Sequence, residues 1–226
     1  MSHCYEHPRP ALTTDCVVFG WSGDAVKVLL IERREEPFAG RWAFPGGFVE
    51  MDELLAASAA RELAEETGLE GVSLEQFRTF DAVDRDPRGR TISVAHLGLV
   101  RLEDHFPKAA DDARSVAWFS TADLPSLAFD HAEILQMAVT HLRRKFRHQP
   151  VGIDLLPAKF PLRRLQQLYE AVLELEFDPF DFHERMLATG VLHEAEWSGA
   201  STQEPLYSFN RVKYARLAAA GFYLDL

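Results

Sequence analysis

Residues 47–69, GFVEMDELLAASAARELAEETGL, constrain the fold more than any other stretch of the chain. Gly46 and Gly47 are followed by Glu53, by Arg61 beside Glu62, by Glu65 and Glu66, and by Gly68–Leu69. The apolar spacing predicts a helix from about Met51 to Glu66, stopped by Gly68 in the C-terminal capping position. On that helix Glu62, Glu65 and Glu66 fall at i, i+3 and i+4, so their carboxylates share a face. Three carboxylates on one turn repel each other, and a hard cation relieves the repulsion. Mg²⁺ or Mn²⁺ takes oxygen ligands and keeps positions for water and phosphate oxygens. Leu54, Leu55, Leu63 and the alanines supply the faces that must pack on a sheet. Pro45, Gly46 and Gly47 allow a tight backbone approach, and Arg61 can reach Glu53 to orient a carboxylate. A solvated acidic surface is the usual fate of a glutamate run, but it does not require glycine and arginine at these fixed places.

Around this helix the chain falls into two regions. Strand-like runs occupy 14–20, 25–32, 72–83, 91–102 and 116–119, several rich in Val, Ile, Leu and Phe. A second helix is expected from His131 to His148, its last turns carrying Arg143, Arg144, Lys145 and Arg147, cations suited to a helix C-terminus. Pro150, Pro157 and Pro161 mark a break. Beyond it the pattern reads helix (162–175, with Leu165, Leu168, Tyr169, Val172 and Leu175 on one face), helix (from an Asp178–Pro179 start to Gly190), hairpin (191–197 and 205–209) and a last helix, 211–220, capped by Asn210.

Charge and composition narrow the function classes. The chain has 24 Lys and Arg against 35 Asp and Glu, a formal net charge of −11. Such a field disfavours nucleic acid and anionic lipid, and an anionic ligand calls for a local positive device such as a metal ion. No apolar run approaches the ~20 residues that span a membrane, and the first residues lack the apolar core of a secretory signal. Two cysteines, Cys4 and Cys16, cannot build a disulfide framework, so a cytoplasmic location is expected.

The glutamate-rich stretch resembles the Nudix box, Gly-x5-Glu-x7-Arg-Glu-U-x-Glu-Glu-x-Gly-U with U aliphatic, at every specified position. The resemblance extends to EPFAGRWAFPGGFVEMDE, to DRDPRGR at 84–90 and to LAFDHAEIL at 127–135. These segments are similar to a subgroup that includes ADP-ribose pyrophosphatases and Nudix-related transcriptional regulators of NAD metabolism. The resemblance implies an α/β fold: a Nudix mixed-sheet α/β/α sandwich over residues 1–150, then a small winged-helix-like domain over 151–226. It further implies Mg²⁺- or Mn²⁺-dependent hydrolysis of a nucleoside diphosphate linked to another group, ADP-ribose or a related NDP-sugar being expected. Carried over, the metal ligands are Glu62 and Glu66 with Glu65 beside them and the Gly46 carbonyl, while Arg61 and Glu53 support the catalytic geometry.

Outside the box, Arg85, Arg88 and Arg90 could hold a diphosphate or ribose, or be solvated charges on a DPRG turn. Asp130 and His131 open a helix and are candidate substrate contacts, Asp130 alternatively serving as an N-cap. A general base is sought among Glu103, Asp104, Asp111 and Asp112. His3, Cys4 and His7 are read as inert, and His96 as a core histidine. The hydrolase reading is preferred to a rival one, an ADP-ribose-responsive, DNA-binding regulator. The rival's second helix, DPFDFHERMLATG, offers only His183 and Arg185 as donors, and residues 151–226 carry seven cations against eleven acids. A homodimer is expected, and the C-terminal module could instead dimerise or cover the site.

Overall fold

A computed structural model describes residues 6–107, 113–152, 155–195, 204–222 and 224. His3, Cys4, Asp111, Asp112 and most of the loop between the last two strands lie outside the described residues. The apolar runs form strands β1 (Ala11–Trp21), β2 (Val26–Arg33), β5 (Leu74–Phe80), β6 (Thr91–Arg101) and β7 (Ala113–Ser120), joined by two short strands that periodicity cannot reveal, β3 (Trp42–Ala43) and β4 (Gly46–Phe48). They make one sheet in the order β3-β2-β1-β6-β5, with β4 paired to β1 and β7 to β2. The strand expected over 72–83 is confined to Leu74–Phe80. The chain divides into two compact units: Met1–Phe19, Lys27–Leu99 and His105–Ala138 in the first, and Gly20–Val26, Val100–Asp104 and Val139–Leu226 in the second.

In the first unit, helix α1 (Leu55–Thr67) begins four residues later than the sequence predicts. The expectation that Leu54 packs on the sheet is overturned: it is the extended N-cap and 78% exposed. The reason is the preceding turn, in which the Glu53 carboxylate accepts the Glu50 amide at 2.8 Å and keeps residues 50–53 out of helix. α1 ends as expected, with Gly68 at φ 71° donating to the Ala64 carbonyl. Its inward face is Ser58, Ala59, Leu63 and Thr67. Small residues there let the helix approach β1, where the Cys16 thiol donates to the Ala59 carbonyl at 3.2 Å.

The second unit holds helices α3 (Leu162–Leu173), α4 (Pro179–Ala188) and α5 (Arg211–Ala219), and the sheet β8 (Phe160–Pro161), β10 (Leu206–Phe209) and β9 (Leu192–Glu194), in which β10 is central and antiparallel to both neighbours. The hairpin was legible, whereas two-residue β8 was not. α2 (His131–His148) begins in the first unit and continues into the second. Leu165, Leu168, Tyr169 and Val172 are buried on α3 as the spacing requires, but Leu175 is 44% exposed, because Glu174 turns left-handed at φ 55° and ends the helix. Tyr169 is fully buried against Phe146 and Phe182, and its hydroxyl donates to the Gln149 and Val151 carbonyls at 3.2 Å. Asp178 caps α4 by accepting from the Phe180 and Asp181 amides, and Asn210 caps α5 through Lys213. Among the described residues no helix is long and apolar enough to cross a membrane.

Candidate functional site

A cavity of about 440 Å³ opens in the first unit, bounded by β1, β2, the β3–β4 turn, α1, the 84–90 loop and the start of α2. The glycine pair explains how α1 reaches it. A Cβ on Gly47 would collide with the Glu62 carboxylate, and one on Gly46 with the Thr14 carbonyl. The main chain therefore runs directly against Glu62 on one side and β1 on the other, and Asp15 stands opposite Gly46 in the β1–β4 register.

Glu62 and Glu66 both line the cavity. Glu66 accepts the Gly46 amide at 2.8 Å. Burial pushes the Glu62 carboxyl up, against the opposing pull of Arg61. Arg61 gathers the rest: it bonds Glu53 at 2.7 and 3.1 Å, Glu62 at 2.8 Å and Glu65 at 3.1 Å. The reach from Arg61 to Glu53 expected from the sequence is present, and it holds the Glu53 carboxyl down to about 2, with help from the Glu50 amide. Glu65, on the expected face, is 59% exposed and turned to Arg61 rather than to the cavity. Among the described residues no three His, Cys, Asp or Glu side chains stand close enough together to hold a metal ion.

The far wall carries a buried polar cluster. Arg85 is 8% exposed and forks onto Asp130 at 2.7 and 2.8 Å, with Asp15 3.5 Å away. Both oxygens of Asp130, the residue before α2, accept from Arg85, and its carbonyl accepts the Glu133 and Ile134 amides. His131 accepts the Phe44 amide on Nδ1 at 2.9 Å, which puts the ring proton on Nε2, 3.5 Å from Asp15. Burial holds His131 below its ordinary pKa, in the neutral form, and its ring stacks on Phe44 at 5.0 Å. Asp15 also accepts a short bond from the Ser93 hydroxyl. Asp15 and Ser93 were missed by the sequence reading, as was Arg33, because they sit in apolar strands and carry no spacing signal.

Arg88 pairs with Asp86 inside its own turn at 2.8 Å and lies over Phe48 and Phe129. Arg90 donates to the Asp81 and Ala82 carbonyls. Glu103 and Asp104, sought as general bases, are not cavity residues, whereas Glu50 and Asp86 are. His96 is 2% exposed and bonded to the Val94 carbonyl, a core histidine.

Residues 9–138 match the profile of the NUDIX domain. The chain belongs to the Nudix family. Residues 152–204 of this Nudix protein match the NrtR DNA-binding winged helix domain, so it combines a mixed α/β Nudix fold with a winged helix. It is 34% identical over 210 residues to a protein of Acinetobacter baylyi named as an ADPR responsive transcriptional repressor, NtrR, spanning 90% of this chain and 84% of that one. An ADP-ribose pyrophosphatase of Methanocaldococcus jannaschii is 42% identical over 111 residues, 49% of this chain and 64% of that one. The crystal structure of Shewanella oneidensis NrtR complexed with a 27mer DNA is 28% identical with a TM-score of 0.77, and covers 94% of this chain and 97% of its own.

Proposed function

We propose that this Nudix protein is a transcriptional regulator: its first unit binds ADP-ribose, its winged helix, from about residue 151 onward, binds DNA as a homodimer, and the ligand releases the DNA. One observation carries the reading: similarity to an ADPR responsive repressor runs through both parts of the chain, winged helix included. On this similarity the regulator is placed first, ahead of the ranking drawn from charge. A net charge summed over 76 residues hides where cations stand. Helix α5 carries Arg211, Lys213 and Arg216 with no acid and no buried residue, a local positive element of the kind that phosphates favour.

Hydrolysis is a second reading, favoured by the complete box and by Glu62 and Glu66 lining one cavity with Glu50. The donors fit a hard cation: they are all oxygen, and Glu62 is a carboxylate that burial disfavours and that a cation would relieve. In this reading Glu62, Glu66 and the Gly46 carbonyl would hold Mg²⁺ or Mn²⁺, with Glu65 swinging in from Arg61. A bound cation would supply Lewis-acid polarisation of the diphosphate and a more acidic water. Arg61 would fix Glu62 and Glu53, and Glu50 or Asp86 would take the water's proton.

The test is fluorescence anisotropy at stated salt, with duplexes from upstream of NAD and pentose metabolism genes, with and without ADP-ribose. Nanomolar binding released by ADP-ribose is expected, and its absence on every duplex sinks the regulator reading. In parallel, Mg²⁺-dependent ADP-ribose turnover that falls by orders of magnitude in Glu66→Gln would establish the hydrolase.

A further inference from the structure

The arginines that line the cavity differ in what balances their charge. Arg61 is held by three carboxylates, Arg85 by Asp130 and Asp15, and Arg88 by Asp86. Arg33, half-buried at the end of β2, and the exposed Arg34 after it instead donate to neutral carbonyls, Arg33 to Pro37 at 2.9 Å and Glu35 at 3.4 Å and Arg34 to Ala113 at 3.3 Å. Its guanidinium lies 4.8 Å above the Phe129 ring, and that of Arg88 lies 5.6 Å from the same ring. Phe129 is held there at φ 49°, a left-handed conformation uncommon for a bulky residue, with its ring edge-on to Phe38 at 4.8 Å. Burial, and then repulsion from Arg88, pulls Arg33 below its ordinary pKa, against the opposing pull of Glu66, Asp86 and Glu35. Two cations brought to one aromatic ring, one of them hydrogen-bonded only to neutral oxygens, favour an anion beyond the carboxylates already nearby.

We infer that Arg33, with Arg88 beside it over Phe129, receives the diphosphate of the ligand, and that Arg33 determines selection for a doubly charged anion. The inference rests on the ADP-ribose reading of the cavity and names the contact within it. Of the arginines expected from the sequence, Arg85 is occupied by Asp130 and Arg90 by the Asp81 and Ala82 carbonyls, which leaves Arg88, while the fork of Arg33 matches two phosphate oxygens. The aromatic faces on either side of Arg88 restrict the guanidinium in advance, which lowers the ordering cost of binding.

Calorimetry on the full chain without divalent cations tests this with ADP-ribose and with inorganic pyrophosphate. The proteins are wild type, Arg33→Gln, Arg33→Lys and, as a control for net charge, Arg114→Gln, whose residue is 69% exposed on β7. Arg33→Gln should weaken both ligands about 10–100-fold. Arg33→Lys should recover part of the loss, Arg114→Gln should match wild type, and melting temperatures should be unchanged. Equal affinity in wild type and Arg33→Gln overturns the inference, as does a loss shared by Gln and Lys and accompanied by lowered melting. If wild type ignores ADP-ribose but binds pyrophosphate through Arg33, the ligand reading fails and the inference stands. Binding of neither ligand overturns both.

Discussion

Arg61 and Arg85 line one cavity, and each collects more than one carboxylate, but under opposite conditions. The side chain of Arg61 is 28% exposed, and it joins Glu53, Glu62 and Glu65 from its own helix and the turn before it. That of Arg85 is 4% exposed, and it joins Asp130 and Asp15 from a different loop and a different strand. Water reaches Arg61 and Glu65, 28% and 59% exposed, more readily than any member of the second cluster. The second has no such reserve, and every removed partner leaves a buried charge without compensation. The contrast separates an arginine that water reaches from one enclosed in the cavity wall.

The largest expected effect tests that division at Arg85. Arg85→Ala leaves Asp15 and Asp130 buried without their cation, and breaking a buried pair in this way costs about 3–5 kcal/mol. Urea unfolding should show the loss with an unchanged m-value. A loss below about 1 kcal/mol would mean that water reaches the cluster and that the two arginines are alike.

A smaller effect concerns His131, which ties the same cluster to the Phe44 amide. Its folded-state pKa is held below the ordinary value of about 6.5, first by burial and then by Arg85 and Arg33, against the opposing pull of Asp15 and Asp130. The unfolded chain therefore binds the extra proton more readily. Stability from the neutral ring is present above about pH 6.5 and is lost as pH falls below it. Unfolding free energy measured from pH 7.5 to 5.5 should decline, and His131→Gln, which keeps an acceptor for Phe44, should flatten that decline. His96, also held down by burial, remains in both proteins, so the difference between the two slopes isolates His131. Identical slopes would detach His131 from the cluster.

The two clusters also differ in how far they could be read in advance. Glu53, Arg61, Glu62, Glu65 and Glu66 lie within one helix and its preceding turn, where residue spacing maps directly onto geometry. Even there the turn at 50–53 hid the late start of α1 and the exposure of Leu54. Asp15, Arg85, Ser93, Asp130 and His131 meet only because the sheet brings β1 and β6 beside the 84–90 loop and the start of α2. No local period records that meeting, so the spacing of the sequence does not bring Asp15 to notice, although Asp15 and His131 both line the cavity. The winged helix was legible from the face of α3 and the Asp178–Pro179 cap. A summed charge carries no position, and Arg211, Lys213 and Arg216 stand together on α5.

The smallest stability effect is expected at Arg61, and it sharpens the comparison from the other side. Exposed ion pairs contribute about 0–1 kcal/mol, because water already solvates both partners and long side chains lose freedom in forming them. Arg61→Ala should therefore cost less unfolding free energy than Arg85→Ala, although it removes contacts to three carboxylates rather than two. Its effect should appear in titration instead. Glu53 sits near 2 chiefly because Arg61 donates to it, so without Arg61 its carboxyl should move up toward the ordinary range, held back by the Glu50 amide and the Ser58 hydroxyl. Carboxyl-detected NMR of wild type and Arg61→Ala would read that movement directly. A Glu53 that stays near 2 with Arg61 gone would assign its charge to the 50–53 turn, and Arg61 would then be released to serve Glu62 and Glu65 alone.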